Sequence, residues 1–426
     1  MADGKSPRRR ISATKNKRMI PALLCSTVDY TVRVKKLFRF TLGLYLLVST
    51  ALSASAAFSS LYVFGDTLSA TADPTSSGPP YYYGQRWSNG RVWVEVLAQR
   101  QGLKYDVTKN NSYWDHNSAD LVTDVNNFIA PSDVANDLFI VWVCNADTFD
   151  SASTALNNSS TDPNYLLNQF IGANIQAQAN HLQIILNLYN KGVRTLVLPN
   201  AVDISQIPAY NAGNLTGVLH AGCVDYNARF SNTISQARAM CPGLTIHTPD
   251  FFTLLNNVLA NPASYGLKNA QYGGFNIDAL EDLNPSSLNG PGTNFVFWDP
   301  QDPTAQFHEI IADVAQQIIS PVQISQLTVL NGSNRLDLAN MPLGLNGFVE
   351  GVTNLTLGNW AFVTNFNSSV VAQSVFVVAA PLPPPVAASG SGGSTDPNNP
   401  GNGTYFPPFN PAQFYRLHFP YSWSWP

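Results

Sequence analysis

Apolar positions along this chain follow two regimes that change near Pro321. From Leu61 to about Ile319, short apolar runs alternate with longer stretches of helical spacing, the pattern of a parallel sheet with helices on both faces. Leu61–Phe64 reads as a short buried strand and Val92–Arg100 as a helix that starts after Ser88-Asn89-Gly90. Leu138–Val143 is continuously apolar, as expected of a strand covered on both sides. Ile175–Lys191 carries Leu182, Ile185, Leu186, Leu188 and Tyr189 at helical spacing and stops at Gly192, a C-capping residue. Thr195–Leu198 and Leu244–His247 read as further strands, with a helix at Asn227–Met240 before the second. Beyond Pro321 the helical period stops. Gln323–Leu330, Arg335–Leu338, Gly347–Glu350, Trp360–Asn365, Ser374–Val378 and Gln413–His418 predict a small all-β sandwich. Within it, residues 380–411 are rich in Gly, Ser, Asn and Pro and read as a flexible loop.

Charge divides the chain differently. Residues 1–56 hold 11 of the 23 Lys and Arg residues but 2 of the 27 Asp and Glu. The remainder therefore has 12 basic against 25 acidic side chains, a formal charge of −13. Such an acidic body excludes nucleic acid as a main partner, since phosphate binding needs a basic footprint. The basic head has the layout of an export signal. Arg33, Lys35, Lys36 and Arg39 precede the apolar run Phe40–Leu52, and Ala54-Ser55-Ala56 offers small residues for cleavage. The run is short for a transmembrane span, so a secreted, periplasmic or cell-surface protein without a stable membrane anchor is expected. The chain then divides into a leader (1–56), an α/β domain (57–321) and the β-sandwich module (322–426). Cys144, Cys223 and Cys241 remain after cleavage. In an oxidising compartment Cys223 and Cys241 are the candidate disulfide pair, provided the chain between them bends back. No Cys/His spacing fits a zinc site, and no cofactor is expected.

Four separate blocks carry the chemistry. Val63-Phe64-Gly65-Asp66-Thr67-Leu68-Ser69 resembles the F-G-D-S-L-S opening of the SGNH/GDSL hydrolase family, the GDSL-like lipases and acylhydrolases. Tyr83–Leu97 resembles its G-R-x-S-N-G-x-V-W-x-E-x-L-A block, and Pro249–Gly266 its D-x-x-x-L-x-x-x-x-x-N-P-x-x-Y-G block. Phe297-Trp298-Asp299-Pro300-Gln301-Asp302-Pro303-Thr304 resembles the closing F-W-D-x-x-H-P-T. The blocks stand in family order over some 260 residues. The resemblance implies a three-layer α/β/α, flavodoxin-like fold and hydrolysis of carboxylic esters by a Ser–His–Asp triad with an oxyanion hole. Val352–Leu355, Asn359-Trp360 and Phe414-Tyr415-Arg416 resemble the fibronectin- or immunoglobulin-like modules appended to secreted bacterial enzymes.

Each family role can be laid on a residue, and most residues have changed. Thr67 stands where the family has its nucleophilic Ser, and its β-methyl crowds the approach to the hydroxyl. Asp302 stands where the family has the base, and His308 matches a second family His on the following helix. Asp299 matches the residue that orients the base. The Gly of the oxyanion hole would fall near Asp115 or His116, and the Asn on Ala146, with Asn145 one residue away and Asp147 retained. Thr67, Asp299, Asp302 and His308 are thus the catalytic candidates, and Asp66, Asp115, His116, Asn145 and Asp147 the substrate-binding ones. The resemblance makes a lipid, glycan or other small-molecule ester the expected ligand. Two further readings stay open: a non-catalytic glycan- or lipid-binding protein that keeps the cleft, and a divalent-cation binder if Asp66, Asp115, Asp147, Asp299 and Asp302 converge. Tyr81-Tyr82-Tyr83, Trp87, Trp93, Tyr113 and Trp114 could line a subsite, with core packing the plainer role for Trp93. The sequence leaves the oligomeric state open.

Overall fold

The computed structural model of the protein describes residues 58–157, 159–330, 333–353, 355–356, 358–378 and 413–419. The expected export signal and the 380–411 loop lie outside the described residues.

Five parallel strands form the central sheet: β1 (Leu61–Gly65), β2 (Asn110–Ser112), β3 (Leu138–Trp142), β4 (Thr195–Val197) and β5 (Thr245–His247), in the order β2-β1-β3-β4-β5. Every residue of β3 is buried, which explains its unbroken apolar run. Helices cover the sheet in two groups. Trp93–Arg100 packs on Ala305–Ile319, while Pro163–Asn190 packs on Ser118–Asn127, Cys144–Leu156 and Thr216–Met240. This is the three-layer α/β architecture expected from the alternating pattern.

Two helices start well before their apolar stripes do. Pro163–Asn190 begins at Asp162-Pro163, where the Asp162 carboxylate accepts from Asn164 N–H and Pro supplies the first helical residue. Thr216–Met240 contains two glycines in its first turns, which mask it in the sequence. One of them, Gly222, is required by packing: a Cβ there would stand 2.7 Å from the Phe170 ring of the neighbouring helix. The longer helix also corrects the disulfide expectation. Cys223 lies inside it and Cys241 caps its end, so a straight helix separates them by roughly 27 Å at 1.5 Å per residue. Both are free, as is Cys144.

A short hairpin, β6 (Gln271–Tyr272) with β7 (Phe275–Asn276), precedes the closing block. After Ile319 the chain turns to antiparallel strands: β8 (Gln323–Leu330), β9 (Ser333–Ala339), β10 (Gly347–Val352), β11 (Ala361–Phe366), β12 (Ala372–Val378) and β13 (Phe414–His418). They form two three-stranded sheets, β12-β9-β8 and β11-β10-β13. Leu336, Leu338 and Val377 of one share a core with Val349, Phe366 and Leu417 of the other. The β-region meets the helices through Arg100, which donates from Nε to Asp313 at 2.6 Å and from Nη1 to the Leu343 carbonyl at 3.1 Å.

Candidate functional site

Parallel topology decides where the site lies. In an open α/β sheet the crevice forms beyond the carboxyl ends of the strands where the order reverses, here between β1 and β3. β1 ends at Gly65, with Ser112 and Trp142 as its register partners on either side. The next residue, Asp66, caps a single 3₁₀ turn, Thr67–Ser69, by accepting from Leu68 N–H at 3.1 Å. Gly65 has no room for a side chain, since a Cβ would come within 2.9 Å of both Ser112 and Ser69. The turn is therefore wedged tightly, and Thr67 is left half-buried at the floor of a cleft of about 190 Å³.

Asp66, Thr67 and Gln301 form the floor of that cleft, Ala146, Phe149, Asp150 and Ser153 one wall, and Trp114, Asp115 and Tyr210 the rest. Among the described residues, no Lys, Arg or His lines it. Asp66 is 3% exposed and its Oδ2 has no protein partner. Burial pushes its carboxyl up to about 7, against the pull of the nearby Leu68 and Ala146 amides.

Behind the floor lies the closing block. Asp299 Oδ1 accepts from Gln301 N–H at 2.9 Å and Asp302 N–H at 2.7 Å, while Tyr82 OH donates to Oδ2 at 2.9 Å. Even so, burial raises Asp299 to about 6. Asp302 is 1% exposed, and its carboxyl stands beside the Thr67 hydroxyl and the Asp299 carboxylate. No protein donor closes a well-aligned hydrogen bond on either of its oxygens. Burial first, then the charges of Asp299 and Asp66, hold Asp302 well above the usual carboxylate range.

The histidines lie elsewhere, and here the expectations need correcting. His308 is 1% exposed with neither ring nitrogen partnered by protein, and burial lowers it to about 3. It is a core residue of its helix and does not line the cleft that holds Thr67. His116 packs edge-on against Tyr113 and lies 3.5 Å from Asp124, outside the cleft. Asn145 turns inward: its Oδ1 accepts from Val202 N–H at 2.9 Å and its Nδ2 is buried without a partner. It does not replace the family's oxyanion Asn at the cleft wall, where Ala146 sits.

Asp147 also leaves the site. Its Oδ1 accepts from Ser118 N–H, and its Oδ2 lies 2.8 Å from His181 Nε2 and accepts from Tyr226 OH at 2.7 Å. Burial disfavours its charge, but these hydrogen bonds outweigh that and hold it below the usual range. It pins the start of the Cys144–Leu156 helix. Asp66, Asp115, Asp147, Asp299 and Asp302 therefore do not converge. Among the described residues, no three His, Cys, Asp or Glu side chains form a group that could hold a metal ion.

Three participants escaped the sequence. Asp73 accepts on Oδ2 from Trp87 Nε1 at 3.0 Å and Trp114 N–H at 2.7 Å, fixing two indoles that pack at 4.7 Å. Trp114 is 41% exposed on the cleft, whereas Trp93 is a core residue against Trp142. Asp150 and Tyr210 complete the rim. Tyr210 packs on Phe149 at 5.6 Å and also borders a larger apolar groove of about 850 Å³. Leu156, Pro163, Leu166, Leu215 and Leu219 line that groove. Asp73, Asp150, Tyr210 and the groove residues belong to no family block, so only folding brings them together.

A strand-end cleft with its turn residue on β1 and its acidic pair on the closing loop defines an α/β protein of hydrolase architecture. The family model of the GDSL-like lipase/acylhydrolases matches residues 61–315, and the chain belongs to that family. It is 25% identical over 347 residues to the phosphatidylcholine-sterol acyltransferase of Aeromonas hydrophila, covering 67% of this chain and 97% of that protein. Over 144 residues it is 29% identical to GDSL esterase/lipase 7 of Arabidopsis thaliana, covering 30% of this chain and only 38% of the plant protein. Among solved structures, the extracellular lipase of Streptomyces rimosus aligns at 12% identity and a TM-score of 0.36, covering 61% of this chain and 99% of that one. The acetylxylan esterase Axe2 of Geobacillus stearothermophilus aligns at 13% identity and 0.34, covering 62% and 94%.

Proposed function

We propose that this protein binds carboxylic esters of lipids in the Thr67 cleft and does not turn them over, and that it does so after export. The observation that carries the reading is a buried carboxyl, Asp302, beside the Thr67 hydroxyl where the family has an imidazole. Burial favours the protonated form of this carboxyl, which makes it a poor base for a hydroxyl, and losing the base of a serine-hydrolase triad lowers kcat on the order of 10⁶-fold. The vacated oxyanion positions, Ala146 and Asp115, point the same way. A lipid ester is favoured over a glycan ester because Tyr210 borders both the cleft and the apolar groove, which is large enough for an acyl chain. The acyltransferase relative is named for a lipid ester as well. Among the described residues no helix is long and apolar enough to cross a membrane. Export rests on the Arg33–Ala56 layout of the leader.

Equilibrium dialysis against an octanoyl and an acetyl ester of one alcohol tests this. The expected result is tighter binding of the octanoyl ester with the ester recovered intact. Recovery of free octanoate under catalytic conditions overturns it. A second reading, slow hydrolysis with Asp302 as base, is favoured by that carboxyl's position at Thr67. Its mark would be a rate that climbs with pH as Asp302 ionises.

A further inference from the structure

We infer that the β6–β7 hairpin docks the protein on a zwitterionic lipid surface, with Tyr272 and Phe275 seated among the headgroups. The choice of a lipid partner rests on the lipid-ester reading. Two glycines make the turn: Gly273 and Gly274 lie at φ 59 and 88, the positive values that let a two-residue turn match strand twist. Tyr272 pairs directly with Phe275, and Gln271 with Asn276. Directly paired residues share a face and successive residues alternate. The two rings therefore stand on one side of the hairpin and the two amides on the other.

The amide side is clamped to the body. Asn276 is buried, and its Oδ1 accepts from Asn269 Nδ2 and Gln271 Nε2, each at 3.0 Å. Its Nδ2 donates to the Gln206 carbonyl at 2.7 Å, and its own carbonyl accepts from Asn211 Nδ2 at 2.8 Å. With that side held, the ring side is turned to solvent: Tyr272 is 80% exposed and Phe275 46%. The clamp also locates the hairpin. The loop it grips carries Ala209, Tyr210 and Ala212, which line the apolar groove, so the rings are tied to the wall of the proposed acyl-chain site.

Charge and size select the occupant. Residues 269–277 carry no charge, so seating the hairpin in an interface strips no ion of its water. A Tyr ring with its polar tip settles at headgroup depth, with its apolar body below. Two rings bury roughly 150–250 Å² each, well below the roughly 800 Å² per partner of a stable protein interface. The pair is thus too small to hold a protein or a second copy. Beyond residue 56 the chain has 12 basic against 25 acidic side chains, so anionic lipid repels it and a zwitterionic surface does not.

Sedimentation of the full chain with phosphatidylcholine vesicles, beside the double variant Tyr272→Ser with Phe275→Ser, provides the test. The variant is expected to need about tenfold more lipid for half-binding. Amide exchange at residues 271–276 should slow on vesicles in the native chain alone. Residues 1–56 are common to both proteins and cancel in the comparison. Both rings are exposed, so the variant should keep the native melting temperature. Equal partition of the two proteins, or no slowing at the hairpin, overturns the inference. Monomeric octanoyl ester should bind both proteins equally; its failure to bind either overturns the lipid-ester reading, and the vesicle comparison still decides the hairpin. Self-association that the variant loses in the ultracentrifuge, with vesicle binding unchanged, assigns the rings to a contact between copies and overturns the lipid partner.

Discussion

At the scale of single residues, the site is governed by where burial places protons. Asp66, Asp299 and Asp302 are carboxyls raised by burial, so the folded state holds more protons than the unfolded chain between about pH 4 and their native values. Their contribution to stability is full below the unfolded value of 3.8 and is lost as pH rises through about 6 for Asp299 and about 7 for Asp66. Asp302→Asn keeps the shape and removes one of these titrating carboxyls. We expect it to raise the melting temperature at pH 8 and leave it little changed at pH 4, measured by differential scanning calorimetry. His308 has the opposite sign. Held neutral down to about pH 3, it contributes stability above its unfolded value of 6.5 that is lost as pH falls towards 3. His308→Met removes two unpartnered ring nitrogens at similar volume. It should raise the melting temperature, most at pH 5, without altering ester binding.

Elements show which parts of the chain the sequence could disclose. β3 was legible because a strand buried on both faces must be apolar throughout, and β8 because the alternation with turns after Pro321 leaves no helical reading. The first halves of Pro163–Asn190 and Thr216–Met240 were not, because their polar residues and glycines are explained only by the neighbouring helix. Family blocks placed Thr67, Asp299 and Asp302 on one site, since each block is a local loop with its own frame. Asp150 and Tyr210 sit outside any block and reach the cleft through tertiary folding alone, as does the Asp73 carboxylate that holds Trp114. His308 misled for a related reason: matching a motif fixes its place on the helix but not whether its face meets the cleft or the core.

The blocks also hold one another. Ser88 Oγ donates to the Pro303 carbonyl, Asn89 Oδ1 accepts from Ala305 N–H, and a Cβ at Gly90 would stand 2.6 Å from Ala305 Cβ. Gly90→Ala should therefore displace the closing loop, with a loss on the order of 2 kcal/mol by urea unfolding, as for other overpacking changes. On the other side, Arg100→Leu leaves Asp313 buried without its partner and frees the Leu343 carbonyl. Burial already raises Asp313 to about 6 despite Arg100. Breaking such a pair costs about 3 kcal/mol at pH 8, and less at pH 5, where Asp313 accepts a proton.

For the whole molecule, the family fold and the proposed loss of turnover are compatible because they rest on different residues. The sheet, the S-N-G docking and the Asp299 turn are structural, and they survive the exchange of Ser for Thr67 and of His for Asp302. The most direct measurement is p-nitrophenyl butyrate hydrolysis by the native chain and by Thr67→Ala, from pH 6 to 9. Both proteins are expected to match the buffer rate across that range. Turnover present in the native chain and absent from Thr67→Ala would contradict the account, and a rate rising with pH would assign Asp302 as the base.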